Sequence, residues 1–152
     1  MIRQIISDKL INLMVRAIQK ADCLQINNGE AVLNSRMEDP VFLERYGYKV
    51  YSQNDEDGII EEIFNRIGEK YRTFVEFGVQ NGLECNSHFL LHKGWKGIWI
   101  EGGKRYCKEI RDLFNGLIEN KRLLVKNAFI NKDNIDRLIL DGLNELGIGG
   151  GY

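Results

Sequence analysis

The stretch TFVEFGVQNGLECN, residues 73–86, restricts the fold of this chain more than any other. Thr73, Phe74, Val75 and Phe77 favour a pleated, half- or fully buried conformation, so the run reads as a short strand. Gly78 and Gly82 follow at a spacing of four and read as a sharp turn. Glycine enters backbone regions closed to other residues and lets a second group come close. A helical pattern, LECNSHFLLHKG over 83–94, then runs to Gly94. A strand passing into a helix through so short a turn predicts a right-handed crossover to a second, parallel strand. The anomaly is Glu76, an acid inside a strand that otherwise reads as buried.

The alternation continues downstream. GIWIEG (97–102) is a second strand, and its apolar run fits burial on both faces. KRYCKEIRDLFNGL (104–117) is helical through Tyr106, Ile110, Leu113, Phe114 and Leu117. RLLVKNAF (122–129) is a third strand, and NKDNIDRLILDGLNEL (131–146) a helix through Ile135, Leu138, Ile139, Leu143 and Leu146. Upstream, NDEDGIIEEIFNRIG (54–68) is a helix with acids in its first turn and Gly68 as its stop. The expected class is α/β: a Rossmann-like, three-layer parallel sheet with helices on both faces, ending after about three strands and preceded by N-terminal helices. The division expected is a helical lead-in over 1–50 and a partial Rossmann-like domain over 51–152. Within the lead-in, Ile2, Ile5, Ile6, Leu10, Leu13, Met14, Ala17, Ile18 and Ala21 recur at helical spacing, which predicts an amphipathic helix packed on the protein's own core.

Composition narrows the function classes. The net charge is −1 and the basic residues are scattered, so no broad field favours nucleic acid or an anionic membrane, and neither is expected as a partner. Cys23, Cys85 and Cys107 are odd in number and widely spaced, which fits neither a disulfide framework nor a zinc pattern; a reduced, cytoplasmic chain is expected. No apolar run approaches the ~18 residues that span a bilayer. His88 and His92 stand four apart without an HExxH pattern, so they are read as packed side chains and no metal is expected. Cys85, read at a helix N-terminus where a thiol pKa can fall, lacks a base partner and is also assigned to packing, as are Trp95 and Trp99.

In an open parallel sheet, ligands bind beyond the carboxyl ends of the strands. There the turn from Gly78 to Gly82, with Gln80 and Asn81 between, would let a ligand approach the backbone. Glu101 ends the second strand nineteen residues after Gly82, a spacing suited to accepting both hydroxyls of a ribose. Together these point to an adenosine-type ligand, and charge discriminates among such ligands. A pyrophosphate prefers G-x-G-x-x-G and a bare helix N-terminus. Here the spacing is G-x-x-x-G, and Glu76 would repel phosphate. S-adenosylmethionine, with a sulfonium and an ammonium, would instead be favoured by that carboxylate.

FVEFGVQNGLECN followed by GWKGIWIEG resembles the first two motifs of class I S-adenosylmethionine-dependent methyltransferases. The upstream segment YGYKVYSQNDEDGIIEEIF resembles the lead-in of a bacterial group close to the FkbM-type methyltransferases, so that the likeness spans about residues 40 to 146. The resemblance implies S-adenosylmethionine as cofactor and a sugar or other small-molecule oxygen as methyl acceptor. It places Glu76, Gly78 and Gly82 in the glycine-rich motif, with Gln80 where the family usually has glycine. It makes Glu101 the ribose acid, sets Asn127 and Ala128 beside the adenine, and brings Gln53 and Asp57 toward the methionine end. It implies that the acceptor pocket and any catalytic base lie largely beyond GIGGGY, so no catalytic residue is assigned. In the family's sheet the first strand is central; an uncovered TFVEF edge and homo-oligomerisation through it are therefore expected. Two other readings stay open. One is an NAD-type oxidoreductase fragment, against which the missing G-x-G-x-x-G counts. The other is a truncated, non-catalytic domain acting through protein contacts.

Overall fold

The computed structural model describes residues 39–148. The amphipathic pattern over 2–21 and Cys23 lie outside them. The chain divides into two compact units, one holding the residues up to Val50 with Asn54–Gly68, the other Tyr51–Gln53 with the residues from Glu69 on. In the first unit, a short 3-10 helix, Leu43–Tyr46, leads to helix α1, Glu56–Ile67. Glu56 and Asp57 fall in the first turn of α1, where acids complement the helix dipole. Gly68, at φ +81°, stops the helix with its N–H on the Phe64 carbonyl. Val50 N–H donates to Asp57 Oδ2 at 2.7 Å and the Tyr48 hydroxyl to Glu61 Oε2 at 2.5 Å, tying the incoming segment to α1.

The second unit is the α/β part. Its elements are β1 (Thr73–Phe77), α2 (His88–His92), β2 (Lys96–Glu101), α3 (Lys104–Leu113), α4 (Asn115–Glu119), β3 (Leu123–Asn127) and α5 (Ile135–Glu145). The strands form an open parallel sheet in the order β1-β2-β3. Alternation along the central strand divides the core in two. Trp99 faces one side with Leu91, Ile110, Phe114 and Leu123; Ile98 and Ile100 face the other with Leu146, Leu138 and Leu143. The helices α3 and α4 thus cover one face and α5 the other. The structure is α/β with a three-stranded parallel sheet, compatible with a Rossmann-like fragment. β2 is buried from Gly97 to Glu101, as its apolar run predicts. β1 is an edge strand among the described residues and only half-buried, with Phe77 58% exposed.

Two helix expectations need correction. The helix expected over 83–94 is confined to His88–His92, and residues 83–87 form turns. Their backbone N–H groups bond to side chains: Leu83 to Asn81 Oδ1, and Asn86 and Ser87 to the Glu76 carboxylate. Such local acceptors compete with helical hydrogen bonding. Cys85 consequently lies in a turn, not at a helix N-terminus. The helix expected over 104–117 breaks at Phe114, at φ −110° and ψ 20°, and restarts as α4. Asn115 and Gly116 are weak helix formers, and the Phe114 ring is held edge-on against Trp99 at 4.9 Å.

Candidate functional site

At the carboxyl end of β1, Glu76 stands opposite Trp99 in the β1–β2 register, so both side chains leave the sheet on the same face. Ser87 is their common partner. Glu76 Oε1 accepts from Asn86 N–H at 3.1 Å, and Oε2 accepts from Ser87 N–H at 2.8 Å and the Ser87 hydroxyl at 2.5 Å. Trp99 Nε1–H donates to Ser87 Oγ at 2.7 Å. Glu76 thereby ties the strand to the loop after the glycine turn. A carboxylate offers about four acceptor positions, and the loop uses three. No spacing in the sequence marks Ser87 as this partner.

The two glycines of the turn serve different ends. Gly78, at φ +72°, is exposed, and a Cβ there would meet nothing within 4 Å; the backbone angle alone calls for glycine. Its N–H donates to the Ile100 carbonyl at 2.9 Å. Gly82, at φ +79°, is buried, and a Cβ would lie 2.8 Å from Trp99 Cη2 and 3.2 Å from Phe114 Cε2. The group that comes close at Gly82 is the Trp99 indole, so this glycine's open space is filled by the protein itself. Gln80, where the resembling family has glycine, also has positive φ, at 53°. That conformation costs a residue with a Cβ about 1–2 kcal/mol, so glycine would be the less strained residue at this place.

Glu101 ends β2 and is only 8% exposed. Its Oε2 accepts from Gln80 N–H at 2.9 Å and its Oε1 from Gly103 N–H at 2.7 Å. The acid thus joins the glycine turn to the start of α3, with two of about four acceptor positions in use. Asn127 Nδ2–H donates to the carbonyls of Glu101 and Gly102, at 2.8 and 3.1 Å, and Ala128 N–H also reaches the Glu101 carbonyl, at 3.1 Å. Gly78, Gln80, Asn81, Glu101, Asn127 and Ala128 therefore gather at one end of the sheet. Gln53 is exposed, while Asp57 is buried and accepts from Val50 N–H in the first unit.

Two aromatic residues at this end were not among the expected site residues. Phe129 is 80% exposed just past β3, and Phe77 ends β1. The Phe129 ring lies over Gly102, where a Cβ would be 2.8 Å from its Cζ. The sequence pattern carries the third strand to Phe129, but β3 stops at Asn127. The Gly102-Gly103 pair was the one sequence signal that backbone here is closely approached.

The remaining candidates are packed. Tyr51 stacks on both imidazoles, 4.0 Å from His88 and 4.7 Å from His92, and His88 Nδ1 lies 3.2 Å from the Leu83 carbonyl. Burial, and then the charge of Glu76, pushes the Cys85 thiol up to about 12, the reverse of nucleophile activation. Burial also raises Cys107, whose Sγ–H points to the Glu101 carbonyl at 3.3 Å. Among the described residues, no three His, Cys, Asp or Glu side chains group to hold a metal, and no helix is long and apolar enough to cross a membrane. Comparison with protein-family models, curated proteins and solved structures finds no match to the chain.

Proposed function

We propose that this chain carries the cofactor-binding part of a class I S-adenosylmethionine-dependent methyltransferase acting on a sugar or other small-molecule oxygen. The observation that carries the reading is the hydrogen bond from Gln80 N–H to Glu101 Oε2, 2.9 Å long. It joins a glycine turn and a buried acid at the carboxyl ends of adjacent parallel strands, where such sheets take ligands. Glu101 keeps acceptor positions for two ribose hydroxyls. Phe129 offers an exposed ring face for an adenine, a role for which base–aromatic stacking is well suited. Glu76 adds negative charge at the glycine turn while acting mainly as a loop anchor, which favours a cationic cofactor over a phosphate-bearing one. Catalysis in such a site is chiefly the holding of a methyl group in line with its acceptor.

Isothermal titration of the chain with S-adenosylmethionine and S-adenosylhomocysteine tests this. Binding that is lost in Glu101→Ala, with the variant still folded, is the expected result. No binding by the folded parent, or equal binding by the variant, overturns the assignment. A second reading has an observation of its own: both acids accept backbone N–H bonds from the loops around them, as structural staples would. With β1 at the sheet edge among the described residues, this supports a domain acting through protein contacts. Self-association in light scattering without cofactor binding would favour it.

A further inference from the structure

At the opposite end of the sheet, a cavity of about 460 Å³ opens against the residues that lead into the three strands. Lys70 and Arg72 precede β1, Lys96 begins β2, and Arg122 precedes β3; all four line the cavity, and among the described residues no acid does. The concentration is local, because the chain as a whole has a net charge of −1. It follows from topology, since parallel strands begin on one side and their leading residues converge there.

The cations are held differently. The Arg122 guanidinium donates to the carbonyls of Leu91 and Trp95, which fix its position without neutralising its charge. Lys70 Nζ sits 5.1 Å from the centroid of the Tyr71 ring, a cation–π geometry. Arg72 pairs with Glu69 at 2.7 Å, an exposed contact. Among the described residues, one acid against four cations leaves the cavity positive, and concave walls focus such a field.

We propose that this cavity is an anion site for a small molecule bearing two or more phosphate charges, independent of the cofactor reading. Guanidinium forks and ammonium groups together match phosphate oxygens. The volume falls within the ~300–1,000 Å³ typical of small-molecule sites. Tyr71, 59% exposed, and Ile148 supply flat and apolar wall for the rest of an esterified ligand. The domain is then polarised, with acids at the carboxyl ends of its strands and cations at the amino ends.

The test is an amide NMR titration of the whole chain with inorganic pyrophosphate and, separately, ADP, at low and high salt. Saturable shifts at Lys70, Thr73, Gly94 and Lys96 that weaken with salt are expected, and with pyrophosphate none at Gly78 or Gly102. Tighter binding of ADP than of pyrophosphate at these residues would add Tyr71 and Ile148 to the phosphate contacts. The double variant Lys70→Gln, Lys96→Gln should bind pyrophosphate at least about tenfold more weakly, and Lys108→Gln, on exposed α3 surface, equally well. Absence of shifts at the cavity with millimolar pyrophosphate overturns the proposal. So does unchanged affinity in a folded double variant. Tighter binding of single-stranded RNA at the same residues would replace the small-molecule assignment. Should the double variant unfold, the parent's shifts and their salt dependence decide alone.

Discussion

Gly78→Ala and Gly82→Ala form a matched pair that separates backbone strain from steric exclusion. Both glycines have positive φ, +72° and +79°, so alanine at either position costs about 1–2 kcal/mol in conformation. At Gly78 the added methyl meets nothing within 4 Å, and that cost is the whole effect. At Gly82 it would lie 2.8 Å from Trp99 Cη2, closer still to Cζ3, and 3.2 Å from Phe114 Cε2. Comfortable carbon–carbon contact begins near ~3.5 Å. Trp99 cannot easily retreat. It is fully buried, its Nε1–H is bonded to Ser87 Oγ at 2.7 Å, and its ring meets Phe114 edge-on at 4.9 Å. Overpacking of that kind adds about 1–3 kcal/mol. Gly82→Ala should therefore lose about 2–5 kcal/mol and Gly78→Ala about 1–2 kcal/mol. Against a total stability of ~5–15 kcal/mol, the first loss is severe. Urea unfolding followed by tryptophan fluorescence and far-ultraviolet circular dichroism gives both values. Equal losses, within about 0.5 kcal/mol, would refute the steric argument.

Other expectations concern Cys85 and Glu76. The native Cys85 thiol should resist iodoacetamide at mildly alkaline pH and react only after unfolding; labelling at the rate of an unfolded peptide contradicts its burial. Because folding raises this thiol from the ordinary 9.0 to about 12, the native state holds the proton more tightly. Its contribution is complete below pH about 9 and is lost as pH rises toward 12, so Cys85→Ala should remove part of the alkaline loss of stability. Glu76→Ala would leave the buried N–H of Ser87 without its acceptor and hand the exposed Asn86 N–H to water, at a cost of about 1–3 kcal/mol. Hydrogen exchange at those two amides should quicken; unchanged exchange would mean that the carboxylate does not anchor the loop.

Much of the fold was legible because it rests on local periodicity. The apolar run of GIWIE announces a strand buried on both faces, and β2 is that strand. The helical stripe through Ile135, Leu138 and Leu143 announces α5, and Gly68 announces the end of α1. The bounds of α2 and α3 were less legible. Propensity does not count the side-chain acceptors offered to residues 83–87 from Glu76 and Asn81, nor the locking of Phe114 on Trp99. The candidate site was legible as residue types at spacings, and the structure gathers most of them at one end of the sheet. What each one touches was not legible.

The sequence by itself determined the α/β alternation, the parallel crossovers and an acid at the end of each of the first two strands. Those follow from interactions within a few residues and from the handedness of connections. Only the tertiary structure decided that Glu76 anchors a loop through Ser87, that Gly82 makes room for Trp99, and that Glu101 closes on the backbone of Gln80. It alone brought Lys70, Arg72, Lys96 and Arg122 to a common cavity. The physical reason is that a side chain's period along the chain sets the face on which it emerges, whereas its partner across that face depends on strand register and order.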